Sequence, residues 1–163
     1  MIAEIEHSGI RVDENGDWFY NGSKIFRPEI LESFYEKLVL SAEGEYFLAD
    51  SKGRWQIEVA DTPFVVTRVD VQRAVSGQEQ IMLRLKNISC PETLDPSTLK
   101  TGKDNVLYCT TAAGKFPARF SRPAYYQLAD FLGEDETGSG FFIQLNGKRY
   151  PITEETAPAS HLR

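Results

Sequence analysis

The sequence predicts an α+β protein with two similar units, each containing one helix packed on an antiparallel sheet. Three observations lead to this fold class. Short runs with apolar residues at alternate positions are separated by Asn-Gly and other glycine-containing turns, as in antiparallel hairpins. Two segments with a helical spacing of apolar residues begin at Pro28 and Pro123. The order of these elements recurs after 95 residues, which indicates an internal duplication.

The first unit is predicted over residues 10–60, after a loosely held lead-in at residues 1–9. Its opening strands are separated by Asn-Gly pairs, which supply the positive φ angles of tight hairpins. These strands are expected at residues 10–13, 18–20 and 24–26. The helix that begins at Pro28 has one apolar face, formed by Ile30, Leu31, Phe34, Tyr35 and Leu38. It is expected to end at Glu43-Gly44, and a further hairpin follows.

The second unit is predicted over residues 64–152, followed by a flexible tail at residues 153–163. It opens with a long hairpin, because apolar and polar residues alternate on both sides of the turn at Ser76-Gly77. Residues 87–105 are expected to be a long connection of weak structure. The remaining elements are a hairpin, a helix from Pro123 to about residue 132, and a closing hairpin around Asn146-Gly147.

The duplication places similar residues at matched positions. A shift of 95 residues, without gaps, places Arg27-Pro28 on Arg122-Pro123 and Arg54 on Arg149. Each copy has a Pro-started helix, an acidic loop with glycine, an aromatic strand, and a strand with an arginine-aromatic pair. The agreement in the order of these elements is the main support for the duplication.

Charge and hydropathy exclude several classes of protein. The 163 residues include 24 acids and 18 Lys and Arg, for a net charge of −6. This balance argues against a nucleic-acid binder, because such proteins gain affinity by neutralising phosphates. No apolar run is long enough to span a membrane. Acids also stand where a secretory signal needs basic residues, so we expect a cytoplasmic protein with no membrane partner.

Catalytic signatures are missing from the sequence. It contains no phosphate-binding glycine motif, no zinc-protease motif and no nucleophile elbow, and both histidines, His7 and His161, are near the termini. Asp13, Asn15 and Asp17 have the spacing that opens a calcium loop. Trp18 and Lys24 stand where that loop needs glycine and glutamate, so a polar turn explains these residues better. The sequence therefore predicts a non-catalytic protein with no metal and no cofactor.

Several arginines stand among aromatic residues, which suggests a binding site for an anion. Guanidinium groups bind phosphate or carboxylate with two hydrogen bonds, and flat aromatic rings stack on bases. The candidate ligand-binding residues are Arg27, Arg54, Arg119, Arg122, Trp18, Trp55 and Tyr125. If the two copies face each other, Arg27 and Arg122 approach a shared surface. The alternative is structural: each arginine pairs with a carboxylate or a carbonyl near a helix start, and the aromatic residues belong to the core.

Several stretches together resemble a bacterial family known as domain of unknown function 1285. They lie at residues 12–22, 25–27, 44–48, 57–65, 116–128 and 139–142. The resemblance covers roughly residues 10–152. It implies a duplicated α+β core whose C-terminal half is similar to pleckstrin-homology-like barrels. It also implies a nucleotide-type ligand at the domain interface and a role in signalling.

Two functions from different classes remain. The first is a non-catalytic, ligand-sensing or regulatory module that binds a small anionic, nucleotide-like molecule between its two halves. The second is a protein-interaction adaptor that uses the same arginine and aromatic residues, since protein interfaces favour Trp, Tyr and Arg. A concave, positive, partly aromatic pocket would favour the ligand, and a flat, exposed apolar patch would favour the adaptor.

Overall fold

The computed structural model describes residues 5–111, 115–138 and 140–154. Its contacts divide the chain into two compact units, Met1–Pro63 and Phe64–Arg163. The prediction of a loosely held lead-in at residues 1–9 is wrong for residues 5–9, because the first strand begins at Ile5. The first two residues of the expected tail form a short strand, and the rest of it, with His161, lies outside the described residues.

Within its described residues, the N-terminal unit contains six strands and one helix. They are β1 (Ile5–Val12), β2 (Trp18–Tyr20), β3 (Ser23–Lys24), α1 (Pro28–Lys37), β4 (Leu38–Leu40), β5 (Tyr46–Asp50) and β6 (Gly53–Val59). The strands form one sheet in the order β3-β2-β1-β6-β5-β4. The expected antiparallel sheet is mixed, because β1 runs parallel to β6. A parallel pair needs a long crossover connection, and the segment with β2, β3 and α1 lies within it.

Helix α1 begins at Pro28, as predicted, but it ends earlier than its apolar spacing suggests. Arg27 is the extended residue before the helix, and Leu31 is its fully buried residue. The helix stops at Lys37 because residues from Leu38 pair with β5. Phe34, expected in the core, is only half-buried.

The C-terminal unit contains ten strands and one helix within its described residues. They are β7 (Phe64–Arg73), β8 (Glu79–Leu85), β9 (Glu92–Thr93), β10 (Lys100–Thr101), β11 (Leu107–Thr111), β12 (Phe116–Phe120), α2 (Arg122–Ala129), β13 (Leu132–Glu134), β14 (Phe141–Leu145), β15 (Lys148–Pro151) and β16 (Thr153–Glu154). Seven of these strands form a sheet in the order β16-β10-β11-β12-β7-β8-β9, and β13-β14-β15 form a separate one. The larger sheet is also mixed, since β12 runs parallel to β7.

Helix α2 packs against strand β7. Ala124 and Leu128, four residues apart, are fully buried. The side-chain oxygen of Gln127 accepts a hydrogen bond of 2.7 Å from the backbone N–H of Val69 in β7. The position of α2, and of the residues at its start, is therefore fixed by the large sheet.

The two units share one arrangement of elements. In each, the helix is followed by a three-stranded antiparallel meander, β4-β5-β6 after α1 and β13-β14-β15 after α2. The α+β class is confirmed, and the repeated meander is consistent with a duplicated unit. The similarity of the C-terminal half to pleckstrin-homology-like barrels stays a prediction.

Candidate functional site

Trp18 is a core residue of the N-terminal unit. Its side chain is 1% exposed, and its indole N–H donates a 3.0 Å hydrogen bond to the Tyr35 hydroxyl. That hydroxyl donates in turn to the Pro63 carbonyl at 2.8 Å. A buried indole has no face on which a base could stack, so Trp18 is removed from the candidate ligand-binding residues. Its role is the structural one that the sequence left open.

The other candidates of the N-terminal unit have separate surroundings. Arg27 is exposed, and its Nε lies 2.8 Å from a carboxylate oxygen of Glu29. The backbone N–H of Glu29 and then the Arg27 side chain lower the pKa of that carboxyl group. The guanidinium of Arg54 lies 4.2 Å from the centre of the Phe47 ring, and Trp55 lines a groove with Phe34 and Lys37. Ligand contacts from Arg27, Arg54 and Trp55 stay a prediction.

The candidates of the C-terminal unit lie together. Arg119, Arg122 and Tyr125 line one groove of about 410 Å³ at the junction of β12 and α2. We call it the arginine groove. Its other lining residues are Asp104, Asn105, Val106, Leu107, Phe120 and Tyr126.

The local fold explains why these three side chains meet. In β12, Ala118 and Phe120 are buried, so Arg119 between them is on the opposite face of the strand. Ser121 caps α2 by accepting the Ala124 N–H at 3.3 Å, which turns the chain directly from strand to helix. Tyr125 lies three residues after Arg122, about one turn further along α2. The strand end and the first helical turn thus line one concave surface.

Charge in the arginine groove is positive on balance. Its described lining residues include two guanidinium groups and one carboxylate, that of Asp104. Arg122 is exposed, and none of the residues described by the structure forms an ion pair with it. A guanidinium group has five N–H donors, so Arg119 can keep its protein contacts and still bind an anion. The groove can therefore hold an acidic group between two cationic side chains.

Two lining residues of the arginine groove have an uncommon backbone conformation. Asp104 and Asn105 both have positive φ angles, of 59° and 60°. Asp and Asn tolerate this left-handed region better than other residues with a side chain, but two in succession still cost free energy. Such strained positions cluster at binding sites, where the surrounding fold holds them in place.

Aromatic residues are exposed beside the groove. Tyr125 is 37% exposed and Tyr126 is 63% exposed, and their rings meet edge to face at 5.8 Å between centroids. Phe141 at the start of β14 is 55% exposed. Sequence reasoning missed Tyr126 and Phe141. For Tyr126 the helical spacing was a usable signal. A helix that buries Ala124 and Leu128 on one face directs Tyr125 and Tyr126 away from the centre of that buried face.

Asn105 was also missed, for a different reason. It lies in the segment 87–105, which was expected to have weak structure. The structure shows two short strands and two 3₁₀ turns there, and the second turn, Lys103–Asn105, brings Asn105 to the groove. No local pattern indicated that pairing of β10 with β11 would place this turn beside α2.

Other possible sites are less suited to an anion. A groove of about 380 Å³ in the N-terminal unit is lined by both Arg11 and Glu58, so its charges balance. Within residues 5–111, 115–138 and 140–154, no three metal-ligating side chains are grouped as a metal ion requires. No helix in the described part of the chain is long and apolar enough to cross a membrane.

Comparison with known proteins supports the resemblance seen in the sequence. Residues 3–62 match the model of the N-terminal domain of DUF1285, a domain of unknown function. The resemblance to the DUF1285 family is confirmed. No curated protein matches the chain.

Two crystal structures of DUF1285 family proteins are similar to this fold. The protein from Silicibacter pomeroyi DSS-3 has a TM-score of 0.74 at 20% identity, over 99% of this chain and 87% of that one. The protein from Shewanella baltica OS155 has a TM-score of 0.62 at 20% identity, over 76% of this chain and 91% of that one. At this identity the likeness shows a DUF1285-like fold.

Proposed function

We propose that the C-terminal unit is a non-catalytic, ligand-sensing module that binds a small, nucleotide-like organic anion in the arginine groove. The observation that carries the proposal is that Arg119, Arg122 and Tyr125 line one concave surface. The volume of about 410 Å³ is within the usual range for small-molecule sites. A module of this kind would report the ligand to a signalling partner.

The acidic character of the chain makes this concentration of positive charge informative. A protein with a net charge of −6 repels anions at long range, so capture of an anion requires local cationic groups. Arg119 and Arg122 would form charge-assisted hydrogen bonds with phosphate or carboxylate oxygens, and Tyr125 would stack on an attached flat ring.

The test is a thermal-shift screen of mononucleotides and signalling dinucleotides, followed by titration of any hit. A ligand at 100 times its Kd should add about 2.7 kcal/mol to the free energy of unfolding. Arg122→Ala should weaken binding by roughly ten- to a hundredfold, since one charge-assisted hydrogen bond contributes about 1.5–3 kcal/mol. Arg73→Ala is the matched control, because Arg73 is an exposed arginine of the same unit that pairs with Glu79 instead.

Equal binding by wild type, Arg122→Ala and Arg119→Gln would place the ligand elsewhere and overturn the proposal. A variant that loses binding must keep its melting temperature without ligand, which separates a ligand contact from a structural one. Tyr125→Phe should bind as wild type and Tyr125→Ala more weakly, because stacking needs the ring and not the hydroxyl.

An adaptor function is the second candidate, and the exposed rings of Tyr126 and Phe141 favour it. Tyrosine is enriched in the energetic centres of protein interfaces. If no anion raises the melting temperature, the adaptor becomes the better explanation. Tyr126→Ala and Phe141→Ala should then reduce binding to a partner without changing stability, since both side chains are more than half exposed.

A further inference from the structure

A second groove adjoins the arginine groove and differs from it in character. Its volume is about 360 Å³, and we call it the apolar groove. It shares Asn105, Leu107 and Tyr125 with the arginine groove, so Tyr125 stands at the boundary between them. Its remaining lining residues are Thr101, Ala129, Leu132, Gly133, Glu134, Phe141 and Ile152.

The lining of the apolar groove is mainly hydrocarbon. Leu132 begins β13, Phe141 begins β14, Ile152 directly follows β15, and Ala129 is the last residue of α2. None of these four residues is fully buried. Apolar surface of this kind gains stability when an apolar group covers it, because water is released.

We propose that the ligand is an amphipathic anion, with an acidic group at Arg119 and Arg122 and an apolar body in the apolar groove. This inference rests on the anion site of the proposed function, and it replaces the nucleoside part of the ligand with an apolar body. A polar-to-apolar change along one continuous surface matches a molecule with the same change along its length. Beyond Tyr125, the polar side chains of the lining are those of Thr101, Asn105 and Glu134. The ribose hydroxyls of a nucleotide would therefore find few hydrogen-bond partners there.

The lining residues of the two grooves also determine the orientation of the bound ligand. The apolar groove contains no described cationic residue and includes Glu134, so an acidic group is unfavourable there. The arginine groove contains the guanidinium groups and exposes Asp104 and Asn105 beside them. Reversing the ligand would leave both arginines without an anion and place its charge against apolar side chains.

The experiment is a calorimetric titration with a homologous series of inorganic, butyl, hexyl and octyl phosphate, each below its aggregation limit. We expect affinity to rise with chain length, by about fourfold for each methylene that is fully buried, which corresponds to about 0.8 kcal/mol. Octyltrimethylammonium, with an equivalent chain and the opposite charge, should not bind. It controls for detergent-like adsorption.

Two variants test whether the alkyl chain of the ligand lies in the apolar groove. Ala129→Leu fills part of the apolar groove with a residue that keeps the helix, so it should abolish the gain with chain length and leave inorganic phosphate binding unchanged. Phe141→Ala removes one exposed wall and should reduce the gain for hexyl and octyl phosphate only. Arg122→Ala should weaken every member of the series by the same factor.

The outcomes distinguish the inference from the proposed function. Equal affinity for inorganic and octyl phosphate, or tighter binding of an adenine nucleotide than of octyl phosphate, overturns the inference and leaves the anion site standing. A chain-length dependence that persists in both Ala129→Leu and Phe141→Ala also overturns it. If the whole series binds Arg122→Ala and Arg119→Gln as it binds wild type, or if neither the series nor any nucleotide binds the wild-type protein, the proposed function fails.

Discussion

The guanidinium carbon of Arg149 lies 4.3 Å from the centre of the Phe142 ring, across the hairpin of β14 and β15. The same contact occurs in the N-terminal unit, where the guanidinium carbon of Arg54 lies 4.2 Å from the Phe47 ring. Arg149 stands 95 positions after Arg54, and Phe142 stands 95 positions after Phe47. The two units therefore repeat a side-chain contact as well as a strand order.

The strand register supports the same conclusion. Ala49 pairs with Arg54 in the first hairpin, and Gln144 pairs with Arg149 in the second. In each case the aromatic ring is two residues before the partner of the arginine, which makes the contact a diagonal cross-strand pair. A single shift of 95 residues superposes both the backbone pairing and the cation–π contact, which strengthens the evidence for a duplication.

The repeated contact should have a similar energy in both units. Double-mutant cycles with Arg54→Ala and Phe47→Leu, and with Arg149→Ala and Phe142→Leu, should each give a coupling of about 0.5–1 kcal/mol in urea unfolding. The buried ring of Phe47 makes the single Phe47→Leu change the more costly of the two ring substitutions. A coupling near zero in both hairpins would show that the contacts follow from the register and do not stabilise it.

Gly133 should resist substitution because the Phe142 ring covers it. A Cβ atom at Gly133 would lie 2.6 Å from the ring carbon Cζ of Phe142, its pairing partner in β14. The ring would have to move, so we expect Gly133→Ala to cost about 1–3 kcal/mol in chemical unfolding. Gly140→Ala is the matched control, because nothing lies within 4 Å of the added carbon. Equal stability of the two variants would contradict the prediction.

The Tyr35 hydroxyl should contribute to the stability of the N-terminal unit. It accepts from the Trp18 indole and donates to the Pro63 carbonyl, so Tyr35→Phe leaves two polar groups without this partner. We expect a loss of about 1–3 kcal/mol, measured by urea unfolding with Trp fluorescence as the probe. Tyr20→Phe is the control, since Tyr20 is more than half exposed. A loss below about 0.5 kcal/mol for Tyr35→Phe would mean that water replaces the hydroxyl.

The sequence predicted best those features that depend on local chemistry. The start of α1 follows from proline at the first helical position, and the hairpin turns follow from Asn-Gly pairs such as Asn21-Gly22. The end of α1 could not be predicted in this way. Leu38 continues the helical spacing, but its pairing with Leu48 in β5 has the larger effect, and that pairing depends on residues outside the helix.

Long-range pairing limited the prediction of the sheets and of the site. The parallel contact of β1 with β6 joins segments about 40 residues apart, and no periodicity in either one indicates the partner. Arg119, Arg122 and Tyr125 were three of the seven candidates, and they line one groove because they lie within seven residues at one strand-to-helix junction. The role of Trp18 could not be assigned from the sequence, because an aromatic residue in a strand can equally belong to the core or form a surface on which a base stacks.

Alkaline pH should destabilise the C-terminal unit through Cys109. Burial, and then the charge of Glu92, raise the pKa of this thiol to about 12 from its ordinary value near 9. The folded state therefore keeps a proton that the unfolded state releases above about pH 9, so the stabilisation is complete below that pH and is lost as the pH rises toward 12. Between about pH 9 and pH 12, we expect Cys109 to lower the free energy of unfolding by up to about 1.4 kcal/mol per pH unit, measured by urea titration. Cys109→Ala should have a shallower slope than the wild-type protein over this pH range. At pH 8 a thiol reagent should modify the exposed Cys90 quickly and Cys109 only after unfolding, and rapid modification of both in the folded protein would contradict the assignment.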